Sequence, residues 1–285
     1  MNWTPQPTHD GSFTFFSEEF GEAFHSRQGA KAEAFSKYAQ ATNLAEQADR
    51  DALCLLDVCY GLGYNSAAAL ETIWQINPAC KITLYCLEQD SSVPIAAIDL
   101  LGDWSIPVQS ALQQIARTHF CQTDRLTATL LIGDARQTIQ TLQIQADAVF
   151  FDPFSPRRCP QLWTVEFFQQ VARCLSPTGK LATYSRSASV RSAMLAVGLS
   201  IGTIPLGDRH LPHEWSQGTV AAHRWEGLYP LSKMEQEHLQ TRAAIPYRDS
   251  QLCDRPEHIL QRQQQEQQRS TLESTSSWRR RWQIN

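Results

Sequence analysis

The sequence predicts an α/β fold built on one mostly parallel β-sheet with helices on both of its faces. Short apolar runs that end at an acid, a glycine or a proline alternate with helical segments, and this alternation is typical of parallel sheets. Residues 53–59 are nearly all apolar, as expected of a strand that is covered on both faces. With 285 residues and 42% hydrophobic content, the chain is large enough for one sizeable core with appendages.

Three parts follow one another along the chain. We expect residues 1–50 to be an N-terminal extension that packs on the core, residues 51–228 to be the α/β domain, and residues 229–285 to be a polar C-terminal extension that is partly disordered. Within the first part, the pattern predicts a short strand at Ser12–Phe16 and a helix from about Ala30.

The α/β domain contains apolar runs of strand length, and helical segments separate most of them. Each run is bounded by turn-forming residues or by an acid, as is typical of strands in such a sheet. A helix is predicted from about Ser66 to Ile76, directly after the first strand. The predicted strands are Leu53–Cys59, Lys81–Leu87, Ala128–Ile132, Ala146–Phe151, Lys180–Tyr184 and Gly218–His223.

Composition restricts the classes of function. The net charge of −4 and the pI near 6.1 argue against a protein that coats nucleic acid by bulk charge, so any RNA contact has to be local. No targeting segment and no apolar run of membrane-spanning length is present, which predicts a cytoplasmic protein without a membrane contact. The eight cysteines form no Cys-x-x-Cys pair, so we expect neither a metal site nor a disulfide framework.

The most informative motif is the end of the Ala146–Phe151 run. It stops at Asp152, which is followed by Pro153 and Pro156. Proline has no amide donor and restricts the preceding residue, so the strand has to end there and leave the acid at the rim of the sheet. Ligands of open α/β sheets bind outside the carboxyl ends of the strands, and Asp152 is therefore a candidate site residue.

Three further loops follow predicted strands. Gly61-x-Gly63 allows a ligand to approach the backbone and precedes a helix, although taken alone it is more often a plain tight turn. Glu88 ends the next strand, where an acid can bind a ribose diol; its position favours this over a surface acid without a ligand. Asp134 is suited to accept a hydrogen bond from an adenine amino group, and its competing interpretation is the N-cap of the helix that follows.

These loops predict an adenosine ligand without a pyrophosphate. The third glycine of the dinucleotide motif is missing, and no Gly-x-x-x-x-Gly-Lys-Ser/Thr motif for a triphosphate is present. S-adenosyl-L-methionine fits this description. The assembly resembles the Rossmann-like class I S-adenosylmethionine-dependent methyltransferases.

A narrower resemblance covers roughly residues 13–220. The segments that carry it are Phe16-Ser17, Gly29, Glu33, Gly61-x-Gly63-x-Asn65, Asp152-x-Phe154-Ser155-Pro156, Pro160-x-Leu162-Trp163, Phe167-Phe168, Leu175-Ser176-Pro177-x-Gly179, Leu181 to Ser185 and Val190-Arg191. These segments are similar to the methyltransferase domain of the tRNA-modifying enzyme MnmC. That resemblance implies methylation of the exocyclic amine of 5-aminomethyl(-2-thio)uridine at the tRNA wobble position, with tRNA as partner and an upstream enzyme that supplies the aminomethyl nucleoside.

Two departures from that family are visible. The family usually has glycine where this chain has Pro153, which stiffens the turn after the acid. The bifunctional members continue into a flavin-dependent oxidase domain, for which this sequence has no room and no second glycine motif. We therefore expect a methyltransferase without the oxidase activity.

The chemistry predicted for Asp152 is to accept a hydrogen bond from the attacking amine. Tyr60 and Asn65 are candidates for contact with the cofactor, together with Asp152 itself. Phe154 and Trp163 are candidate walls for the substrate, with burial in the core as the alternative. For RNA phosphates we consider Arg157 and Arg158, with a solvated pair as the alternative.

Weaker candidates for RNA contact lie further along the chain. The Trp278 to Trp282 segment pairs aromatic faces with three arginines, a combination useful for single-stranded RNA, against the alternative of a disordered end. The other candidates show no spacing that would favour a binding face. They are Arg186, Arg191, Arg209, His210 and His213.

Other functions remain open from the sequence alone. An N-methyltransferase that acts on a small-molecule or protein amine shares every motif above. Polyamine-forming aminopropyltransferases share the fold, but they carry a second acid where this chain has Ser155. A non-catalytic adaptor that retains only the fold is disfavoured by the intact glycine loop and its acids.

Overall fold

The central element of the computed structural model, which describes residues 3–206 and 213–284, is an eight-stranded sheet. Its strands are numbered here in chain order. They are β1 (Ala52–Val58), β2 (Lys81–Glu88), β3 (Phe120–Gln122), β4 (Leu126–Ile132), β5 (Ala146–Phe151), β6 (Leu175–Thr183), β7 (Ser200–Ile204) and β8 (Gly218–Ala222).

The spatial order of these strands is β7-β8-β6-β5-β1-β2-β4-β3. The five inner strands β6, β5, β1, β2 and β4 run parallel, whereas β3 pairs antiparallel with β4, and β8 pairs antiparallel with β6 and β7. The predicted fold class, a mostly parallel sheet in an α/β protein, is confirmed. The two short strands β3 and β7 were not predicted; both lie at an edge of the sheet, where periodicity gives little signal.

The sheet separates two apolar cores because consecutive side chains of a strand point to opposite faces. On β1, Leu55 belongs to one core and Leu56 to the other, and both are fully buried. The first core is covered by Tyr64–Ile76 and Ile106–Thr118, and the second by Val165–Cys174 and Ala188–Ala196. Helices therefore cover both faces of the sheet, as predicted.

The remaining helices are shorter or lie outside the sheet. The α-helices are Ala30–Glu33, Leu44–Gln47, Tyr64–Ile76, Ser92–Ala96, Ile106–Thr118, Ala135–Thr138, Val165–Cys174, Ala188–Ala196, Lys233–His238, Pro256–Arg269 and Thr275–Trp282. The 3₁₀ segments are Ile98–Leu100, Ile139–Thr141, Pro160–Leu162 and Arg242–Ala244, and Ala34–Ala39 is a π-helix.

The N-terminal extension packs on the sheet's carboxyl edge. The helix predicted from Ala30 is present and continues as a π-helix over Ala34–Ala39. In place of one strand at Ser12–Phe16, the segment forms two antiparallel pairs of two-residue strands, because the chain turns twice within a few residues. These strands are Gln6–Pro7 with Phe13–Thr14, and Phe16–Ser17 with Glu22–Ala23.

The C-terminal extension was predicted to be partly disordered, and that prediction is wrong for the residues that the structure describes. Residues 233–238, 256–269 and 275–282 are helical, and the Trp278 side chain is fully buried, stacked on His238 with ring centroids 4.3 Å apart. Composition alone suggested disorder, because the few apolar side chains of this segment gain their burial only by packing on the rest of the protein.

A buried ion pair fastens this extension to the α/β domain. Arg191 is 1% exposed and Glu235 is fully buried, with 3.0 Å between Nη1 and Oε1. Arg191 also donates hydrogen bonds to Ser216 and Thr219. Arg191 is therefore a structural residue, which corrects its prediction as a candidate for RNA contact.

Candidate active site

A cavity of about 940 Å³ lies outside the carboxyl ends of β1, β2, β4 and β5. Gly61, Glu88, Asp134 and Asp152 all line it, so the four loops singled out from the sequence meet in one place. They do so because the carboxyl ends of parallel strands share one edge of a sheet. The size is within the range usual for small-molecule sites.

Asp152 lies directly after β5, and its carboxylate is held by two neutral donors. The Tyr38 hydroxyl donates to Oδ1 at 2.5 Å, and the Asn65 amide donates to Oδ2 at 2.9 Å. Burial, with the nearby negative charge of Glu33 as a second cause, raises the pKa of Asp152 to about 7, although both hydrogen bonds lower it. Asp152 is therefore oriented and more basic than an ordinary aspartate.

Asn65 differs from its predicted role. We expected it to contact the cofactor, but its side chain is buried and lies off the cavity wall. It is the second residue of the helix Tyr64–Ile76, so the glycine loop directs it toward Asp152. Asn65 therefore acts on the site by positioning Asp152.

Tyr38 is a site residue that sequence reasoning missed. It is 1% exposed and lies in the π-helix Ala34–Ala39, and π-helical turns occur frequently at functional sites. Burial raises its pKa well above the ordinary value, so its hydroxyl keeps its proton and can donate to Asp152. It is separated from Asp152 by 114 residues, and no local pattern in the sequence links the two.

Glu88 ends β2 and accepts hydrogen bonds from three backbone amides. Oε1 accepts from Gln89 at 2.8 Å and Asp90 at 2.9 Å, while Oε2 accepts from Gly61 at 2.8 Å. Burial raises the pKa of Glu88, and these three amides oppose that effect. Oε2 has only one partner among the described residues, so it retains a lone pair for a hydroxyl donor from the cavity.

The two glycines of the first loop have different roles. Gly61 lines the cavity at φ +55°, and an added Cβ would come within 3.2 Å of the Phe24 ring. Gly63 does not line the cavity; at φ +83° it is the N-cap of the next helix, where an added Cβ would lie 2.7 Å from Oη of Tyr60. Of these two glycines, Gly61 is therefore the one placed to meet a ligand.

Tyr60 also departs from the prediction. Its side chain is 4% exposed, packs beneath Gly63 and is absent from the cavity wall. A tyrosine next to a glycine loop can point to either side of that loop, and here its ring packs in the apolar core. Its predicted cofactor contact is corrected to a packing role.

Asp134 lines the cavity, but Arg136 occupies its carboxylate. Oδ1 accepts from the Arg136 amide at 2.9 Å, which makes Asp134 the N-cap of Ala135–Thr138. The Arg136 guanidinium donates to both oxygens, at 2.7 Å in its closest contact, and also pairs with Asp249 at 2.8 Å. The N-cap interpretation is confirmed, and the adenine contact stays a prediction.

Aromatic side chains form one wall of the cavity. Phe154 lines it and stacks on Phe20 with ring centroids 4.4 Å apart, while Phe24 meets Phe154 edge-on at 4.9 Å. Trp163 is fully buried behind this wall and donates from its indole nitrogen to the Phe154 carbonyl at 2.8 Å. Trp163 therefore supports Phe154 from the core and is not a wall itself.

The N-terminal extension completes the cavity. Glu22 accepts hydrogen bonds from the amide of Ser155 at 2.9 Å and from its hydroxyl at 2.5 Å. Glu33 forms an ion pair with Lys37 one helical turn later, and both line the cavity. Sequence reasoning gave Glu33 no chemical role; its spacing to Lys37 was the available signal.

The predicted phosphate-binding cations are outside the cavity wall. Arg157 and Arg158 are exposed, and the Arg158 guanidinium lies 3.6 Å from the Cβ position of Gly21. Arg186 is exposed and lies over the Trp215 ring at 5.2 Å. Arg209 and His210 fall outside the residues that the structure describes.

Several arginines and tryptophans of the Trp278 to Trp282 segment make their contacts within the protein. Trp278 is buried and cannot stack on a base, and Trp282 donates to Glu237 at 2.7 Å. Arg281 forms ion pairs with Glu237 and Glu273. The stacking role predicted for Trp278 is therefore wrong.

Metal clusters and membrane-spanning helices are absent from the part of the chain that the structure describes. Within residues 3–206 and 213–284, no group of three or more histidine, cysteine, aspartate or glutamate side chains is arranged to hold a metal ion. In the same ranges, no helix is both long and apolar enough to cross a membrane.

Comparison with known proteins gives the family of this fold. A family described as S-adenosyl-L-methionine-dependent methyltransferase matches residues 101–209. The crystal structure of MNMC2 from Aquifex aeolicus superimposes with a TM-score of 0.81 at 29% identity, covering 94% of this chain and 86% of that chain. This chain is an S-adenosyl-L-methionine-dependent methyltransferase.

Sequence relatives agree with this assignment. The tRNA 5-methylaminomethyl-2-thiouridine biosynthesis bifunctional protein MnmC of Pseudomonas aeruginosa is 27% identical over 210 residues, 66% of this chain and 31% of that protein. An uncharacterized protein of Methanocaldococcus jannaschii is 26% identical over 264 residues, 89% of this chain and 69% of that protein. The chain is related to the methyltransferase part of MnmC and spans about a third of the length of those relatives.

The residues of this methyltransferase fit its cofactor. Gly61 leaves backbone surface open in a place that a Cβ would fill, and Oε2 of Glu88 retains an acceptor site for a ribose hydroxyl. Asp152 lies in the same cavity, within reach of a reacting group bound there. The cofactor supplies an electrophilic methyl group on a sulfonium centre.

Proposed function

We propose that this methyltransferase transfers a methyl group to the exocyclic amine of 5-aminomethyl(-2-thio)uridine at the wobble position of tRNA, giving the 5-methylaminomethyl derivative. The observation that carries the proposal is the carboxylate of Asp152, which Tyr38 and Asn65 hold at the rim of the sheet. The kinship with MnmC, whose name states biosynthesis of a methylaminomethyl nucleoside in tRNA, supports the choice of substrate.

The chemical step requires a neutral amine. An alkylammonium has a pKa of about 10, so roughly one molecule in a thousand is neutral at pH 7 in water. As the nitrogen–carbon bond forms, the carbon–sulfur bond breaks, its electron pair stays on sulfur, and the nitrogen loses one proton. Asp152 is placed to accept that proton, and its pKa of about 7 makes it a stronger base than an ordinary aspartate.

Orientation of the amine by Asp152 is expected to contribute the rest of the rate of methyl transfer. The two hydrogen bonds to Asp152 fix its lone pairs, so the amine that donates to it is held in one direction. Phe154, stacked on Phe20, offers an apolar face to a pyrimidine ring. Stacking of an unpaired base on aromatic side chains is the usual mode of single-stranded RNA recognition.

The charge of the cavity suits a cationic substrate. Among the described residues that line it, seven carry carboxyl groups and three are arginine or lysine. His25 adds no positive charge at pH 7, because burial lowers its pKa to about 4. The acidic residues are Glu19, Glu22, Glu33, Glu88, Asp90, Asp134 and Asp152, and the basic ones are Arg27, Lys37 and Arg136.

The test is methyl transfer from labelled S-adenosylmethionine to tRNA that carries 5-aminomethyluridine. Nucleoside mass spectrometry should find the label in methylaminomethyluridine. Matched tRNA without the aminomethyl group should remain unlabelled, and Asp152→Asn should label neither. If the protein binds the cofactor but leaves the aminomethyl tRNA unmodified, the tRNA substrate is excluded and other amines have to be screened.

A further inference from the structure

One buried side-chain oxygen in the cavity has no hydrogen-bond partner among the residues that the structure describes. Gln161 lines the cavity in the 3₁₀ segment Pro160–Leu162, and its Oε1 is buried without a hydrogen bond to any residue that the structure describes. A buried polar atom left unpaired is destabilising, so such atoms in native proteins usually meet a ligand or water. This makes Gln161 a candidate for ligand contact.

Gln161 is linked to the Asp134 side of the cavity through its neighbours in sequence, because Thr164 pairs with Tyr247 and Asp249 of that segment binds Arg136. Cys159, two residues earlier, lines the cavity too. Asp152, which follows the same strand β5 as Gln161, lies at the reacting end and is bound there by Tyr38. Gln161 is therefore placed near the part of the cavity that the sequence pattern associated with a purine base.

Asp134 is poorly suited to read that base alone. Its two carboxylate oxygens already accept from three donor groups of Arg136, which are the backbone amide, Nη2 and an Nε–H shared between both oxygens. A carboxylate has about four acceptor sites, so at most one is left for a base, and any closer approach would have to displace a contact with Arg136. Arg136 is itself held by Asp249 and by the carbonyl of Asp254, which makes displacement costly.

We propose that the carboxamide of Gln161 recognises the adenine of S-adenosylmethionine by a pair of hydrogen bonds. Adenine presents an amino donor beside a ring-nitrogen acceptor, and a carboxamide presents an acceptor beside a donor at matching spacing. Glutamine pairs with adenine in this bidentate way in nucleic-acid complexes. The pairing would satisfy the buried amide and leave the contact between Asp134 and Arg136 intact.

The experiment is a binding cycle with the full chain, read by calorimetry and requiring no amine substrate. The ligands are S-adenosylhomocysteine and its analogue with hydrogen in place of the 6-amino group. The proteins are wild type, Gln161→Leu and the control Gln169→Ala, an exposed position on the following helix. A failure of this inference is thus distinguishable from a failure of the proposed tRNA substrate.

We expect wild type and Gln169→Ala to bind the 6-amino ligand roughly tenfold to hundredfold more tightly than the analogue. Gln161→Leu should lose affinity for the 6-amino ligand by a similar factor and bind both ligands alike, because the two changes remove the same contact. Without ligand, its melting temperature should equal or exceed that of wild type, since leucine removes the unpaired amide.

Three results would overturn the proposal. If Gln161→Leu still prefers the 6-amino ligand by the wild-type factor, the amide does not read the base. If Asp134→Asn abolishes that preference while Gln161→Leu retains it, Asp134 is the reader. A drop in the melting temperature of ligand-free Gln161→Leu would assign the side chain a structural role and also contradict the proposal.

Discussion

The hydroxyl of Tyr38 donates a hydrogen bond to Oδ1 of Asp152 across 114 residues of sequence. It joins a π-helix of the N-terminal extension to the carboxyl end of a central strand. Because the bond stabilises the charged form of Asp152, it keeps the pKa of that carboxyl lower than burial alone would set it. The N-terminal extension is therefore part of the active site.

Tyr38→Phe should move the pH dependence of methyl transfer. Loss of the hydroxyl raises the pKa of Asp152 above about 7, so the acid limb of kcat/KM should shift upward by about one pH unit. Tyr184→Phe is the matched control, since that hydroxyl lines the same cavity but donates to the carbonyl of Pro153 at 2.9 Å. An acid limb at the same pH in Tyr38→Phe and wild type would show that the bond does not tune Asp152.

Asp152→Asn should abolish transfer while S-adenosylhomocysteine binds within a few-fold of wild type. The amide cannot accept the proton that the amine loses, but it keeps the size of the side chain. Calorimetry beside the transfer assay separates the two effects, and an equal loss of both would make Asp152 a cofactor ligand instead of a base.

The same variant should change the pH dependence of stability. The folded pKa of about 7 lies above the ordinary value of 3.8, so between these values the folded state binds a proton that the unfolded chain lacks. The Asp152 carboxyl therefore makes the free energy of unfolding fall as pH rises from about 4 to 7. In urea unfolding, Asp152→Asn should gain stability over wild type at pH 8 relative to pH 5. A constant difference at both pH values would contradict the raised pKa.

Glu88→Ala should weaken cofactor binding by about 1–3 kcal/mol, because a ribose hydroxyl and three backbone amides lose their acceptor. Titration calorimetry measures the change, and a melting curve checks that the fold survives. Burial raises the pKa of Glu88, so this carboxyl takes up a proton at a higher pH than an exposed glutamate does. On acidification, the cofactor affinity of the wild-type protein should therefore begin to fall at that higher pH. Undiminished affinity in Glu88→Ala would exclude the ribose contact.

Arg191→Met should reduce the free energy of unfolding by about 3–5 kcal/mol, because it removes one partner of a buried ion pair together with the hydrogen bonds that Arg191 donates to Ser216 and Thr219. Denaturant unfolding measures the loss. Arg262→Met breaks the partly exposed pair with Asp254 and should cost at most about 1 kcal/mol. Similar losses in the two variants would mean that the buried pair does not anchor the C-terminal extension.

The sheet and the ends of its strands could be predicted from the sequence. Asp152, Glu88 and Gly61 could be expected to meet at one place, because parallel strands bring their carboxyl ends to one edge. The proline after Asp152 marks where the strand stops. These inferences depend on local periodicity and on a general rule of topology, and both can be applied to a single chain.

The side chains that face the cavity, and the contacts that hold them, are selected by tertiary packing. Tyr60 and Trp163 stand beside site motifs but turn into the core, whereas Gln161 of the same motif as Trp163 lines the cavity and Tyr38 reaches the site from the N-terminal extension. The order of the C-terminal extension likewise depends on packing with distant residues, as the buried Trp278 shows. Such choices result from long-range burial and hydrogen bonding, which no window of sequence contains.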